Sequence, residues 1–358
     1  MPLTTFVAVL AGGAGTRFWP SGRRARPKQL LPLTGGRSML AETLSRCAPL
    51  APPENTWVVT NRLQLEATRR ECPELGPEQL VAEPAMRNTA AAIGLAALHA
   101  RRRDPEGVMV VLPADHVIRP QDAFEACFRA AVRRATEADV LLTIGIQPTG
   151  PATGYGYIES GDEVASIDGH VVQRVASFKE KPNAATASEF IATGRYFWNA
   201  GTFVWRISTL LNAYQRHLPG HYEVLEAIDA GLDAGRSPEV EVYERFENIP
   251  IDMGIMERAD NVEVIPALFE WDDVGSWLAV DRLNPRNDEG NVIRGEHAGV
   301  DTRNCIVISR NHLVATVGIE DMIVVHTPDA TLICPKDRAE EVRDLVRRLA
   351  DQGGEKYL

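Results

Sequence analysis

Cysteine is scarce and badly spaced for chemistry. The chain of 358 residues has five, Cys47, Cys72, Cys127, Cys305 and Cys334. No two form a Cys-x-x-Cys pair, so nothing points to a thiolate metal site or a dithiol redox centre. An odd, scattered set reads as reduced thiols in a cytoplasmic protein. Long apolar runs are missing too. None approaches the roughly 20 residues that span a bilayer, so no membrane is expected as a partner. The first apolar run has no positive residue before it and ends at glycines, unlike a secretory leader. Basic blocks are short, none longer than Arg101-Arg102-Arg103. With 38 Lys and Arg against 49 Asp and Glu, net charge is −11. Nucleic-acid backbones need a basic surface, so nucleic acid is not an expected partner either.

What is present centres on one stretch near the start. Phe6 to Leu10 is a short apolar run of strand formers. It runs into Gly12-Gly13-Ala14-Gly15, where glycines let the backbone turn and bring N–H groups close to a ligand. Arg17 and Lys28 add two cations just beyond. Such a nest with adjacent cations suits a polyphosphate that gains charge during reaction. A Walker loop is excluded, because the segment ends Gly15-Thr16-Arg17 without its lysine. A dinucleotide fingerprint is excluded as well. Phe18 stands where the third Gly or Ala would be, and Pro20 breaks a following helix.

Strands and helices then alternate. Strands are expected at 56–60, 80–82, 108–112 and 140–146. Helices are expected from a Ser38 cap to Cys47, up to Glu71, over 90–100, and from an Asp122/Glu125 capping box to about Glu137. This pattern predicts an α/β fold with a mixed, mostly parallel sheet. Ligands bind such sheets at the carboxyl ends of the strands. The glycine loop, Glu83 to Thr89 and Pro113 to His116 all fall there. Asp115, at a strand end beside a phosphate loop, is a candidate Mg²⁺ ligand; its alternative role is to cap the loop. His116 reads as structural.

The middle of the chain is Gly- and aromatic-rich at Thr153 to Ile158. A strand over 171–178 precedes Lys179-Glu180-Lys181-Pro182. There a carboxylate between two ammonium groups can hold a sugar hydroxyl and its phosphate; otherwise it is a charged turn. Asn199, in a strand over 198–205, suits hydroxyl recognition. Ser208 is a candidate cap for a helix to His217, and 229–239 reads as a surface loop. Asp272 and Asp273, in the aromatic turn Trp271 to Trp277, are a second metal candidate. They share an ion with Asp115 only if the fold brings them together. The turn-rich stretch Asp281 to Asn291 marks a boundary, giving expected domains of 1–285 and 286–358. The second carries short β pieces and a helix beginning at Asp337 and Glu340, with packing or oligomerisation as its default role.

Gly12 to Pro20 followed by Arg26-Pro27-Lys28-Gln29 resembles the signature of the sugar-nucleotide pyrophosphorylases, most nearly members that use GTP and mannose 1-phosphate. Six further segments look like family segments in family order: Glu83 to Thr89, Pro113 to His116, Phe178 to Pro182, Trp198 to Gly201, Pro250 to Glu257, and Trp271 to Trp277. The resemblance covers essentially the whole chain. It implies a Rossmann-like nucleotidyltransferase domain followed by a left-handed β-helix-like domain. It also implies a Mg²⁺-dependent transfer between GTP and mannose 1-phosphate by a cytoplasmic homodimer. A longer family form carries an isomerase domain, and the transferase activity alone is expected here. Carried over by position, Arg17 holds the leaving pyrophosphate and Lys28 neutralises the α-phosphate. Asp115 and Asp273 hold Mg²⁺, Asp273 being preferred to Asp272 because a small residue and Gly follow it. Gly12, Gly13, Gly15 and Thr16 form the phosphate loop. Leu10, Ala11, Pro84, Asn88 and Ala114 surround the guanosine. Lys181 binds the sugar phosphate, and Gly156, Glu180 and Asn199 bind the sugar. The chain departs from the family after Pro20, so the family arginine falls on Arg23, Arg24 or Arg26.

Overall fold

The computed structural model describes residues 3–13 and 15–358, so Ala14 of the glycine loop lies outside the described residues. β1 (Thr5–Leu10) leads into that loop. α1 (Met39–Cys47), β2 (Thr56–Asn61), α2 (Leu65–Glu71), β3 (Leu80–Glu83), α3 (Asn88–Arg101) and β4 (Val108–Pro113) follow. Next come β5 (Val117–Arg119), α4 (Gln121–Glu137), β6 (Leu141–Ile146), the hairpin β7 (Tyr157–Ile167) and β8 (His170–Lys179), and α5 (Ala184–Thr193). β9 (Tyr196–Arg206), α6 (Ile207–His217), α7 (Pro219–Asp233), α8 (Val240–Tyr243), β10 (Val262–Pro266), β11 (Glu270–Asp272) and α9 (Trp277–Leu283) complete the larger part.

Nine strands form one sheet in the order β3-β2-β1-β4-β9-β6-β10-β8-β7. β1, β2, β3, β4, β6, β7 and β10 point one way, and β8 and β9 point the other. The sheet is therefore mixed and mostly parallel. α3, α6 and α7 cover one face, and α1 and α4 the other, each with its own apolar core. β4 is buried along Val108 to Leu112, as befits a strand covered on both sides. Outside the sheet, β11 pairs antiparallel with β5, with Asp272 opposite Val117. That small ribbon carries the aromatic turn back to the end of β4.

Beyond Asn291 the chain coils. β12 (Val292–Arg294), β13 (His297–Val300), β14 (Ile306–Ser309), β15 (Val314–Val317), β16 (Met322–Thr327) and β17 (Ala330–Pro335) are short rungs. β12, β14 and β16 stack in parallel, β13 and β15 make a second parallel face, and β17 turns back on β16. α10 (Val342–Asp351) packs across the end. The β-helix shares a core with the signature: Phe18, Trp19, Leu31 and Trp277 bury against Ile306, Ile323, Val325 and Val342.

Local expectations fail where a tertiary contact outweighs a cap. Ser38 does cap α1, accepting from Ala41 N at 3.2 Å. The Asp122/Glu125 box does not form. α4 starts at Gln121 after Pro120, and Asp122 accepts from the adjacent Ala123 N. Ser208 lies inside α6 and donates to Glu106 instead. The expected loop at 229–239 is helical as far as Asp233, because Asp229 and Asp233 pair with Arg102 just beyond α3. The terminal α-helix begins at Val342, after a 3₁₀ segment over Lys336–Glu341.

Candidate active site

The site is built at the carboxyl ends of β1, β3 and β4. Leaving β1, Ala11 donates its N–H to Val59 O on β2 at 2.7 Å. The carbonyls that follow are held from behind by side-chain amides. Gln29 Nε2 donates to Ala11 O at 2.6 Å and to Gly13 O at 3.2 Å, and Gln64 Nε2 donates to Gly13 O at 3.2 Å. Among the described residues nothing accepts from the N–H groups of Gly12 or Gly13. A loop with tied carbonyls and open N–H groups is an anion cradle. Gly15 is required by space: its φ is +57°, and a Cβ there would lie 2.3 Å from Lys28 N. Thr16 and Arg17 form a 3₁₀ turn with Phe18. Arg17 Nη1 donates to Gly275 O at 3.5 Å, which brings its guanidinium to the aromatic turn while leaving it half exposed.

Lys28 is the hub. Only 9% exposed, it donates to Asp273 O and contacts Asp115 Oδ2, both at 2.6 Å. The fold thus brings the Asp115 carboxylate and the Asp273 backbone carbonyl to one ammonium group. Asp273 Oδ1 accepts from Tyr155 OH at 2.8 Å. Asp272 faces elsewhere, accepting from Val274 N and from Arg282. Burial alone would raise the Asp115 carboxyl, but Lys28 and His116 facing it more than offset that and hold it below the usual carboxylate range. Burial lowers His116 below the ordinary imidazole value, against the pull of Asp115. Its Nδ1 accepts from Trp271 Nε1 at 3.1 Å, leaving Nε2–H directed at Asp115 Oδ1, 3.8 Å away. His116 is thus held by Trp271 and lies beside Asp115 without a hydrogen bond to it.

A cleft of about 480 Å³ opens beside this hub. Leu10, Gly12, Gly13, Asn88 and Asp115 line it, with Glu83, Met86, Gly201, Phe203 and Asp252 among the others. Ala114 is buried beneath, its N–H bonded to Leu10 O at 3.0 Å. Pro84 directly follows β3 and does not line the cleft, and Asn88, at φ +65°, opens α3. Gly156, Glu180 and Asn199 meet nearby: a Cβ on Gly156 would lie 2.5 Å from Glu180 Oε2 and 3.4 Å from Asn199 Cβ. Lys181 stands apart from the Lys28 hub, paired with Glu180 at 2.5 Å and with its side chain 62% exposed at the rim. Arg23 and Arg24 are engaged by the C-terminal segment through Tyr357 O, Asp329 and Glu355, whereas Arg26 pairs with Glu71.

Sequence reasoning passed over four residues. Gln29 and Gln64 back the loop. Glu83 lines the cleft, with Tyr243 OH donating to its Oε1 at 2.8 Å. Asp252 holds Asn199 Nδ2 at 2.6 Å. Glu83 could have been found as an acid at a strand's carboxyl end; the other three have no local signal. The donor set can cradle a polyphosphate, neutralise charge at one phosphate through Lys28, and offer two carboxylates to a cation. Among the described residues no cluster of three or more His, Cys, Asp or Glu could hold a metal alone. Two carboxylates beside a phosphate loop do fit Mg²⁺, which takes few protein ligands and completes its shell with phosphate and water oxygens.

Comparisons with known proteins agree with this geometry. The nucleotidyl transferase family model matches residues 7–289, and that of the MannoseP isomerase/GMP-like beta-helix domain matches 295–349. Mannose-1-phosphate guanylyltransferase of Escherichia coli K12 is 38% identical, over 97% of this chain and 74% of that protein. The alginate biosynthesis protein AlgA of Pseudomonas aeruginosa is 35% identical, over 96% and 72%. The crystal structure of mannose-1-phosphate geranyltransferase from Thermus thermophilus matches at TM-score 0.87 and 38% identity, covering 97% of this chain and 100% of that one. Mannose-6-phosphate isomerase from Helicobacter pylori shares the fold at TM-score 0.62 and 24% identity, over 75% of this chain and 100% of that one. On the strength of the signature loop, the strand-end site and these matches together, the chain belongs to the nucleotidyl transferase family, among its mannose-1-phosphate guanylyltransferases.

Proposed function

We propose that this enzyme transfers GMP from GTP to α-D-mannose 1-phosphate, releasing pyrophosphate, and that it requires Mg²⁺. The observation that carries the proposal is Lys28 Nζ, seated 2.6 Å from both Asp115 Oδ2 and Asp273 O at the mouth of the glycine loop. A sugar phosphate oxygen is already an anion, so attack on the α-phosphorus needs no strong base. It needs alignment and neutralisation of charge. The open N–H groups of Gly12 and Gly13, with Gly15 and Thr16 completing the loop, bind the triphosphate. Arg17 faces the leaving pyrophosphate, and Lys28 moves its donors onto the α-phosphate as charge builds there. Asp115 and Asp273 would hold Mg²⁺, which would supply positive charge to offset the repulsion among the phosphates.

Leu10, Ala11, Pro84, Asn88 and Ala114 enclose the nucleoside. The Glu83 carboxylate in the cleft supports guanine, whose N1–H and N2–H both donate, where adenine presents an acceptor. Gly156, Glu180 and Asn199 take the sugar, with Lys181 closing on its phosphate from the rim. The boundary between transferase and β-helix parts is proposed at residues 285–286. A cytoplasmic homodimer is proposed as the working form. Net charge of −11 supports small-molecule partners over nucleic acid, and no described helix is long and apolar enough to cross a membrane.

The test is pyrophosphate release from GTP and mannose 1-phosphate, with ATP, UTP, dTTP and glucose 1-phosphate in parallel. Release with the first pair, lost on chelation and restored by Mg²⁺, is expected. Release only with another pair would overturn the substrate assignment, and none with any pair would overturn catalysis.

A further inference from the structure

Asp252 stands at the head of a π-turn over Asp252–Met256, a backbone form common at functional sites. It is half-buried in the cleft wall. Its Oδ1 accepts from Asn199 Nδ2 at 2.6 Å, and no other described residue donates to its side chain. The Asn199 amide is fixed in orientation. Its Oδ1 accepts from Gly201 N at 3.0 Å, while the one Thr143 hydroxyl hydrogen lies between Asn199 Oδ1 at 3.3 Å and Thr202 O at 3.2 Å. Nδ2 is thus the donor end, with one hydrogen on Asp252 and the second unassigned. Beside the cleft-lining carboxylate of Asp252 thus lies a donor hydrogen of Asn199.

We propose that Asp252 determines sugar specificity: its Oδ2, with the second Nδ2–H of Asn199, forms an acceptor–donor pair that binds a hydroxyl, or two adjacent hydroxyls, of the sugar 1-phosphate ring. The pairing follows from chemistry. A hydroxyl both donates and accepts, and it meets both needs at this pair. Gly156 and Glu180 adjoin Asn199, so the hydroxyl sits within one pocket wall. Burial, with Glu180 adding to it, pushes the Asp252 carboxyl up to about 6. Orienting Asn199 alone would not call for an ionisable group held at that disadvantage. This inference rests on the proposed sugar-phosphate substrate.

The experiment compares the full chain with Asp252→Asn and Asp252→Ala. It uses steady-state pyrophosphate release with mannose 1-phosphate and with its 2-, 3-, 4- and 6-deoxy analogues. GTP binding without sugar controls for folding. In both variants KM for mannose 1-phosphate should rise about 10- to 100-fold while GTP affinity stays within about twofold. In the parent chain one deoxy analogue should lose kcat/KM by a similar factor, and that loss should vanish in Asp252→Asn. A purely structural role would instead lower GTP binding and all sugars alike. An unchanged KM, or a deoxy penalty equal in parent and variant, overturns the proposal. Should the variants fail to bind GTP, the parent series still decides, since no penalty above about threefold for any analogue also overturns it. A parent chain inactive with mannose 1-phosphate would refute the substrate instead, and the same comparison would then use the sugar phosphate that it accepts.

Discussion

Lys28 is the side chain on which the proposed chemistry turns. It neutralises Asp115 and donates to Asp273 O, and in the proposed reaction the same donors would face phosphate. Lys28→Ala should therefore leave GTP binding nearly intact and lower kcat by about 10²–10³, the effect of one lost transition-state donor. Near-normal turnover would remove Lys28 from catalysis. Glu83 makes a different prediction. Burial raises its carboxyl to about 7, with Tyr243 acting in the opposite sense. Below about 4.5 it is protonated folded or unfolded. Between about 4.5 and 7 the unfolded chain ionises while the folded chain keeps its proton, so this contribution to stability falls as pH rises. The full effect is about 3 kcal/mol. Glu83→Gln should gain Tm over the parent chain by an amount that grows from pH 5 to pH 8, measured by thermal melts. A difference independent of pH would contradict the assignment.

Among the elements, loop and turn geometry matter more than helix propensity. Val274, β-branched and buried, is held at φ +49° directly after Asp273. Such a conformation costs about 1–3 kcal/mol and persists only where the surroundings impose it. Trp277 Nε1 to Trp19 O, Phe18 against Trp277 and the Lys28 contact supply that imposition. Val274→Gly should relieve strain yet loosen Asp273. The expected result is a lowered Tm, because the isopropyl group lost from the core outweighs the strain relieved, with a weaker apparent Mg²⁺ affinity in activity titrations. Gly15→Ala meets both a positive φ and Lys28 N at 2.3 Å, so it should abolish turnover and shift GTP KM upward. A fully active Gly15→Ala enzyme would mean that the loop does not hold triphosphate. The elements themselves were readable because apolar patterning reports burial, as in the unbroken run Val108 to Leu112. Caps were less so: Asp122 and Ser208 have the right residue types, but Pro120 and Glu106 decide where the hydrogen bonds go.

At the scale of the molecule, the β-helix part braces the catalytic loop. Arg23 donates to Tyr357 O at 2.6 Å and pairs with Asp329 at 2.7 Å, and Trp19 Nε1 donates to Tyr357 O at 2.8 Å. Arg294 donates to Pro32 O and Gly35 O, and Lys336 pairs with Asp281 at 2.8 Å. Arg23→Ala should destabilise by about 2 kcal/mol and raise KM for GTP, since it frees the segment between Arg17 and Lys28. A Tm loss with unchanged KM would make the brace structural only.

The alternation of strands and helices, the glycine loop and the order of the motifs are properties of the sequence itself. Each arises from local chemistry: side-chain period, backbone freedom, and charge beside a turn. Tertiary structure alone decided what those motifs face. Asp115 and the Asp273 carbonyl are far apart along the chain and reach the same Lys28 ammonium in a fold where β11 pairs with β5. Asp272, one residue away and chemically identical, is turned to Arg282 and Val274 N. Gln64 behind the loop, Tyr155 on Asp273 and Asp252 on Asn199 are contacts between distant segments, and a sequence encodes such contacts only through the fold that it adopts.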